Sequence, residues 1–507
     1  MVVGREETDV LVVGAGPVGL SMAIALRRLG VRCVVVEKHT STLDFPRGRG
    51  VTVRTMEIMR RWGLEEELVT AGLQRSSFAV FSGANLLAPE FDRFVLPDPG
   101  PSSVSPSQPL ICDQEKMEVV LCRAAIGAGA EVRFGCNLTE FVNHGDSVTG
   151  VVVEHDSGRE YSLGARWMVA ADGIRSPTRE RLGIRRQGAG IVGTSLSILI
   201  EAKLGDRVAD RASALYRLGD VPGGALLAVD NDRSWLLIKG YDPVLEPPDS
   251  FTETRLRQIA GAAIGDEDVE FAVIGHRFWE PTALVCERYR DGRVFLAGDA
   301  AHVAAPLGGL GMNCGVADVD NLAWKLAGVI SGWADEDLLE TYGPERRPVA
   351  QLTAEASLGP ARAPNPVEGV VLGAHYESAA ISPDGTALPE VDDPIAEYRP
   401  AARPGDRAPH LWLDGDKTRS TIDLYGDGFA LLTTPEGAAW LHAAEGGAAV
   451  PMRVHEISHP DWPRLYGIEP SGAVLVRPDC HVAWRALREP SQPTELDAAL
   501  RRAVGAA

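Results

Sequence analysis

The chain has 507 residues, enough for two or three domains with real cores. A hydrophobic content of 45% and a charged content of 24% are those of an ordinary globular protein and exclude a disordered or fibrous one. The net charge of −20 argues against nucleic acid and anionic membrane as partners, because phosphate binding relies on basic patches.

From the N-terminus, Thr8 to Val13 is a short apolar run, followed by Gly14-Ala15-Gly16-Pro17-Val18-Gly19 and a helical pattern. GxGxxG at a strand-to-helix turn lets the backbone approach a pyrophosphate whose charge the helix end stabilises. A second apolar run, Val31 to Val36, ends in Glu37, where an acid can accept from a ribose hydroxyl. Phe45 to Gly50 reads as a loop and Thr52 to Trp62 as an amphipathic helix. Residues 82–109, rich in Pro, Ser and Gly, read as an excursion to a second domain. A helix is expected from Pro109 to Gly129, with Gln114 near its start, then a strand from Glu131 to Phe141. Strands at 148–154 and 166–171 return to the first domain and end at Asp172-Gly173.

From about 185 to 280, alternating segments predict an antiparallel sheet with few long helices, the roof of a substrate cavity. Residues 293–326 then read as an apolar strand ending in Gly298-Asp299, a loop of small residues and prolines, and a helix opening near Gly311. A strand that stops at a carboxylate and hands over to a helix N-terminus offers an acceptor for a sugar hydroxyl and free amides for electron-rich oxygens. Helical patterns continue to about Ser357, a Pro/Gly-rich linker follows to 408, and residues 409–507 begin a fresh set of elements. The seven cysteines, at 33, 112, 122, 136, 286, 314 and 480, lack CxxC or metal-ligand spacing. They fit reduced thiols in a cytoplasmic protein, with no metal. No run approaches eighteen apolar residues, and a first strand near residue 8 leaves no room for a signal peptide, so no membrane association is expected.

Three ordered motifs, GAGPVG with Glu37, ADGIRSPTRERLGI, and RVFLAGDAAH continuing to GMNCGVADVDNLAWKLAG, make the chain resemble the class A FAD-dependent aromatic monooxygenases. The resemblance is to the group related to 4-hydroxybenzoate hydroxylase and phenol hydroxylase, in its polyketide-tailoring branch. It implies an α/β and α+β multidomain fold: a Rossmann-like FAD domain, an inserted antiparallel-sheet substrate domain, and a C-terminal thioredoxin-like domain without CxxC. The implied division is 1–75, 110–180 and 281–360 for FAD, 76–109 and 181–280 for substrate, a linker at 361–408, and 409–507 for the last domain.

The resemblance also implies residue roles. Gly14, Gly16, Pro17 and Gly19 surround the FAD pyrophosphate, with Glu37 on the adenosine ribose and Lys38 beside it. Arg47 is the best match for a phosphate-contacting arginine, with Arg49 and Arg54 as competitors. Gln114 matches a ribityl-binding glutamine, and Leu138 offers backbone contacts to adenine. Asp172-Gly173 matches a fingerprint for both FAD and NAD(P)H, with Arg175, Arg179 and Arg181 as candidates for transient nicotinamide contacts. Asp299 accepts from the ribityl chain, and Pro306, Gly308 and Gly309 pass the reactive edge. Gly311 and the amides of Met312 and Asn313 face the pyrimidine side. His302 and Cys314 read as structural.

The implied reaction is NAD(P)H- and O2-dependent hydroxylation of a phenolic or polycyclic aromatic small molecule through a flavin C4a-hydroperoxide, on non-covalent FAD with NADPH or NADH as co-substrate. Baeyer-Villiger or epoxidising chemistry on the same scaffold is the alternative, followed by a non-oxygenating flavin protein or an NAD(P)H oxidase. A homo-oligomer is allowed. The sequence names no catalytic base.

Overall fold

The computed structural model describes residues 6–73, 79–95, 103–359, 367–445, 450–492 and 494–506; parts of the expected excursion (96–102) and linker (360–366) lie outside the described residues. β1 (Glu6–Val13) is apolar from Val10 to Val13, where both its faces are covered. Val10 and Val12 enter one core with α1 (Pro17–Arg28), and Leu11 and Val13 enter another. Parallel to β1 run β2 (Cys33–Val36) on one side and the strand Glu160–Ala170 on the other. Glu131–Arg133 extends the sheet beyond β2, and Val294–Leu296 extends it beyond Glu160–Ala170, both parallel. Each motif therefore stands at the carboxyl end of a parallel strand: Gly14, Glu37, Asp172 and Asp299. In open α/β sheets that edge is where ligands bind.

Three expectations are corrected here. Residues 131–141 do not form one strand, because the chain turns at Phe134-Gly135, with Gly135 at φ +66°. Cys136–Asn143 then pairs with Val148–Glu154 as a hairpin. The helix expected from 109 starts at Gln114 and ends at Gly127, since Leu110–Ile111 pairs with Gly50–Val51 in a short ladder. The strand expected at 166–171 is the end of Glu160–Ala170.

The second sheet has seven strands in the order Ala272–Trp279, Ser195–Glu201, Ser234–Gly240, Gly224–Ala228, Leu215–Leu218, Ala79–Gly83 and Asp92–Val95. All neighbours are antiparallel except Leu215–Leu218 with Ala79–Gly83. One face packs against the helix Glu253–Ile264, which Thr252 caps at its start and Gly265 ends in a left-handed conformation. The other face carries Leu199, Leu227, Leu236 and Ile238, packed with Phe45 from the loop before α2 (Val53–Trp62).

The C-terminal four-stranded sheet runs Met452–Glu456, Phe429–Thr433, Ala473–Val476, Val482–Ala486, with its first pair parallel and the others antiparallel. The expected linker is not a free tether. Tyr376, Ala380, Ile381, Ala402 and Ala408 are buried, and Arg407 reaches Glu57 of α2. Its Pro/Gly content thus signals irregular packed backbone. No described helix is long and apolar enough to cross a membrane.

Candidate active site

The three glycines of the first motif have separate jobs. Gly14 sits at φ +101°, and a Cβ there would lie 2.4 Å from the Ala171 carbonyl oxygen. A Cβ on Gly19 would lie 1.9 Å from the Gly14 oxygen, so this glycine lets α1 start hard against β1. Gly16 faces no protein atom within 4 Å. The first and third are thus demanded by packing, and the second leaves open backbone at the N-terminus of α1, where an anion is favoured. Gly298 and Gly315 both meet Val18 of α1, which brings the third motif onto the first, while Gly14 brings in Asp172.

Around this convergence Glu37 accepts from the Ala15 amide at 2.8 Å and from the His39 amide at 2.9 Å. It braces the glycine loop and keeps lone pairs for a hydroxyl. Lys38 and Arg47 are exposed. The competitors of Arg47 are engaged elsewhere. Arg49 donates to the Ala214 and Ala228 carbonyls of the substrate sheet and pairs with Asp113. Arg54 is buried against Glu57 and Asp320. Gln114 donates to Glu118 at 2.8 Å, and its amide N–H donates to Gly48, tying the helix start to the Arg47 loop. The Leu138 side chain packs against the core behind the sheet.

In the second motif, one Asp172 oxygen accepts from the Thr178 amide at 3.1 Å, and the other is buried without a partner. Ser176, at φ +29°, is a strained non-glycine residue beside it. Arg179 is buried and donates to the Ile174 and Arg175 carbonyls, so it shapes this loop. Arg181 lies over the Phe141 ring. Of the three arginines considered for nicotinamide contacts, Arg175 and Arg181 are exposed and make no side-chain hydrogen bond or ion pair among the described residues, and Arg175 is the one not laid over an aromatic ring.

The third motif supplies the opposite wall. Asp299 is exposed by surface area, yet protein crowds it on several sides. Burial pushes its carboxyl above the usual range, against the pull of His302, Arg47 and Arg186. Gly308 and Gly309, at φ +78° and +64°, need glycine's left-handed freedom. The long helix begins at Leu310, so the amides of Leu310, Gly311 and Met312 are its orphaned donors. The Asn313 amide falls where the first intrahelical bond closes, which corrects its expected role. Its side chain instead accepts from the Thr52 amide at 2.9 Å and donates to the Gly50 and Gly309 carbonyls at 2.8 and 2.6 Å.

His302 and Cys314 are buried beside Asp318, with ligand atoms of all three within 4.8 Å of one another. The site already holds a cation, since Arg346 donates to Asp318 at 2.8 Å and to the Cys314 carbonyl at 3.0 Å. His302 bonds Asp318 at 2.6 Å. Burial opposes its protonation, but Cys314 and Asp318 outweigh that and hold its pKa well above the usual value. The cluster is an internal ion pair that anchors the loop.

A family model described as the FAD binding domain matches residues 7–357, and one described as the aromatic-ring hydroxylase C-terminal domain matches 401–507. The chain belongs to the FAD-dependent aromatic-ring hydroxylases. This hydroxylase is 36% identical to tetracenomycin A2 monooxygenase-dioxygenase of Streptomyces glaucescens, over 98% of this chain and 97% of that protein. It is 35% identical to 4-methyl-5-nitrocatechol 5-monooxygenase of a Burkholderia species, over 95% and 94%. Its fold matches a ternary complex of aklavinone-11 hydroxylase with FAD and aklavinone, with TM-score 0.90 and 35% identity over 99% and 100% of the two chains. The hydroxylase is accordingly a flavoprotein monooxygenase that uses FAD with NAD(P)H as co-substrate.

Sequence reasoning missed the side-chain work of Asn313 and the part played by Phe45. Phe45 packs on the sheet face, and the Arg277 guanidinium stands 4.9 Å from its ring centre. Arg277, Ser197 and Trp279 share that face through their cross-strand register, and the Trp279 indole donates to Ser197 at 2.9 Å. Period-2 alternation in 195–201 marks the face on which Ser197 lies, but not its pairing with Arg277 and Trp279. A cavity of about 690 Å³, lined by Glu201, Lys203, Arg257 and Phe271 among others, includes none of the motif residues.

Proposed function

We propose that this monooxygenase hydroxylates a polycyclic, polyketide-type aromatic compound. The observation that carries the reading is the apolar bed of Leu199, Leu227, Leu236 and Ile238 with Phe45, bordered by the polar row of Ser197, Arg277 and Trp279. Fused rings with one oxygenated edge match a surface of that kind. The relatives named for tetracenomycin A2 and aklavinone support the reading, and the nitrocatechol relative marks the single-ring alternative.

FAD, when bound, supplies the electron transfer and oxygen activation that no side chain can. The residues present fit it: Gly16 leaves open space beside a helix N-terminus, and the buried, unpartnered oxygen of Asp172 waits for a donor. In this reading Gly14, Gly16, Pro17 and Gly19 shape the pyrophosphate site, and Glu37 with Lys38 meets the adenosine ribose. Arg47 neutralises phosphate, Gln114 and Asp299 orient the ribityl chain, and the Leu138 backbone borders the adenine. Pro306, Gly308 and Gly309 border the reactive edge, and the amides of Gly311 and Met312 stabilise charge there. Asp172-Gly173 and Arg175 receive the nicotinamide cofactor. The apolar bed excludes water above the ring. The domain division set out above, with the packed segment 367–408 as a brace, goes with this reading, and seven free thiols support a cytoplasmic setting.

The test is NADPH and NADH oxidation by the FAD-loaded enzyme with aklavinone or catechol as probe, with peroxide and product mass measured together. Aklavinone is expected to stimulate oxidation, release little peroxide and gain one oxygen atom. Turnover of catechol with no binding of aklavinone would sink the polycyclic assignment.

A further inference from the structure

Two segments wall the slot between the Arg47 loop and the third motif, and they touch directly. A Cβ on Gly309 would lie 3.3 Å from the Gly50 Cα, and Asn313 stitches Gly50 and Thr52 to the start of the long helix. Each wall then continues as a helix, α2 on one side and Leu310–Ser331 on the other. The spacing of the slot therefore depends on how these helices are held together further along.

What holds them is a buried charge cluster that the C-terminal domain completes. Asp320, roughly 15 Å along the helix from Leu310 at the usual rise, accepts from Arg61 at 2.6 and 2.7 Å and from Arg54 at 2.9 Å. One carboxylate between two guanidiniums leaves further N–H groups to satisfy in a site from which water is excluded. The tip of the hairpin joining Ala473–Val476 to Val482–Ala486 satisfies two of them: the Asp479 carbonyl accepts from Arg54 at 2.7 Å, and the Pro478 carbonyl from Arg61 at 2.9 Å. The tip is itself fixed. The Asp479 carboxylate accepts from Arg477 and, at 3.2 Å, from Asn321 of the long helix, and Cys480 holds a strained φ of +64°. Arg54, Asp320, Asn321, Arg477 and Asp479 are all buried, and the Arg61 side chain is 3% exposed.

We infer that the C-terminal domain is a positioning device for the flavin slot: its hairpin tip, Arg477 to Cys480, locks α2 to the long helix through Arg54, Arg61 and Asp320, and so sets the distance between the two walls. The inference rests on the FAD site described above. None of these residues is among those assigned to the FAD site, so Arg54, Arg61 and Asp320 act through the helices that carry them and the hairpin acts through those three. Backbone carbonyls suit the task because they are rigid and carry no charge to be solvated.

The test uses the full-length protein with FAD and two variants, Asp320→Asn and Arg61→Lys. Asp320→Asn removes the anionic hub at nearly constant shape. Arg61→Lys keeps the charge toward Asp320 but lacks the planar fork that also reaches Pro478. FAD affinity, iodide quenching of bound-flavin fluorescence and melting temperature are measured for each. The expected result is FAD binding weakened about tenfold in Asp320→Asn, a smaller loss in Arg61→Lys, and iodide access increased in both. A melting temperature that falls while FAD affinity and iodide access stay at the wild-type values would overturn the proposal, leaving the cluster as scaffold only. If Asp320→Asn does not fold, Arg61→Lys decides on the same readouts. Failure of the unaltered protein to bind FAD would instead overturn the site reading itself.

Discussion

At the cleft, the side chains of Arg47, Arg175 and Asp299 are exposed and make no hydrogen bond or ion pair among the described residues. At the junction with the C-terminal domain, Lys325, Glu345 and Arg477 are buried and linked. Glu345 accepts from Lys325 at 2.7 Å and from Arg477 at 2.7 and 2.8 Å. The same residue types are left available on one side and consumed on the other. Burying a charge is costly unless it is paired and hydrogen-bonded, so these three junction charges are matched within the protein, while the three at the cleft are left to solvent.

The two carboxylates Glu345 and Asp299 give the sharpest way to break this contrast. Burial alone would raise Glu345, but Arg477 and Lys325 outweigh it and hold the carboxyl well below the usual range. Its stabilisation is therefore full above about pH 4.5 and is lost as pH falls through the lower folded value. Glu345→Gln leaves two buried cations short of an anion and is expected to cost about 4 kcal/mol in urea unfolding. Asp299 is shifted the opposite way by burial, so its charge is a small burden on the fold at neutral pH. Asp299→Asn is expected to leave stability unchanged and to weaken FAD binding. Equal stability losses in the two variants would erase the distinction.

Next in size is a comparison within the glycine motif. Gly14→Ala places a Cβ at φ +101°, 2.4 Å from a carbonyl oxygen, and is expected to cost about 3 kcal/mol as well as FAD. Gly16→Ala meets no protein atom and is expected to lower FAD affinity with melting temperature unchanged. Thermal unfolding of both apoproteins, followed by FAD titration, separates the outcomes.

These cases show what was legible beforehand. The placement of Gly14, Gly16, Glu37 and Asp299 in the fold could be read because a strand end, a tight turn and a helix start impose residue types at fixed local spacing. The face of the substrate sheet could be read as a sheet, but not as a row of Ser197, Arg277 and Trp279, because its meaning depends on register between strands about eighty residues apart, as in the 82-residue separation of Ser197 and Trp279. Arg47 ranks ahead of Arg49 and Arg54 in sequence, but the partners that engage the two competitors are not visible there. Arg49 finds the Ala228 carbonyl 179 residues away, and Arg54 the Asp479 carbonyl 425 residues away. The packed nature of 367–408 was hidden for a similar reason: Arg407 meets Glu57 at a separation of 350 residues.

The arginines supply the third test. Arg49→Met abandons two sheet carbonyls and the buried Asp113, and is expected to cost about 2 kcal/mol and to loosen the substrate sheet from the nucleotide domain. Arg47→Met removes no contact within the protein and is expected to weaken FAD binding about tenfold at constant stability. Denaturant midpoints and FAD titration on the two proteins check the pair, and a stability loss in Arg47→Met would show that this guanidinium serves the fold.

The smallest expected effect contrasts two buried histidines by the sign of their pH response. His302, held protonated by Asp318 and Cys314, has a raised folded pKa, so its contribution is complete below about pH 6.5 and is lost as pH climbs through the folded value. His410, in the C-terminal part, lies edge-on to Trp412 and bonds Ser420 at 2.7 Å. Burial, reinforced by Arg407, lowers its pKa to about 4. Above pH 6.5 neither folded nor unfolded His410 carries a proton; between 6.5 and 4 only the unfolded chain takes one, so stability falls as the solution is acidified. The loss is expected to be on the order of 1 kcal/mol at pH 5. Gln in place of His410 can keep the bond to Ser420 but cannot titrate. Urea unfolding of wild type and His410→Gln at pH 7 and pH 5 should show the gap between them closing or reversing at the lower pH, whereas parallel losses would place the acid sensitivity elsewhere in the molecule.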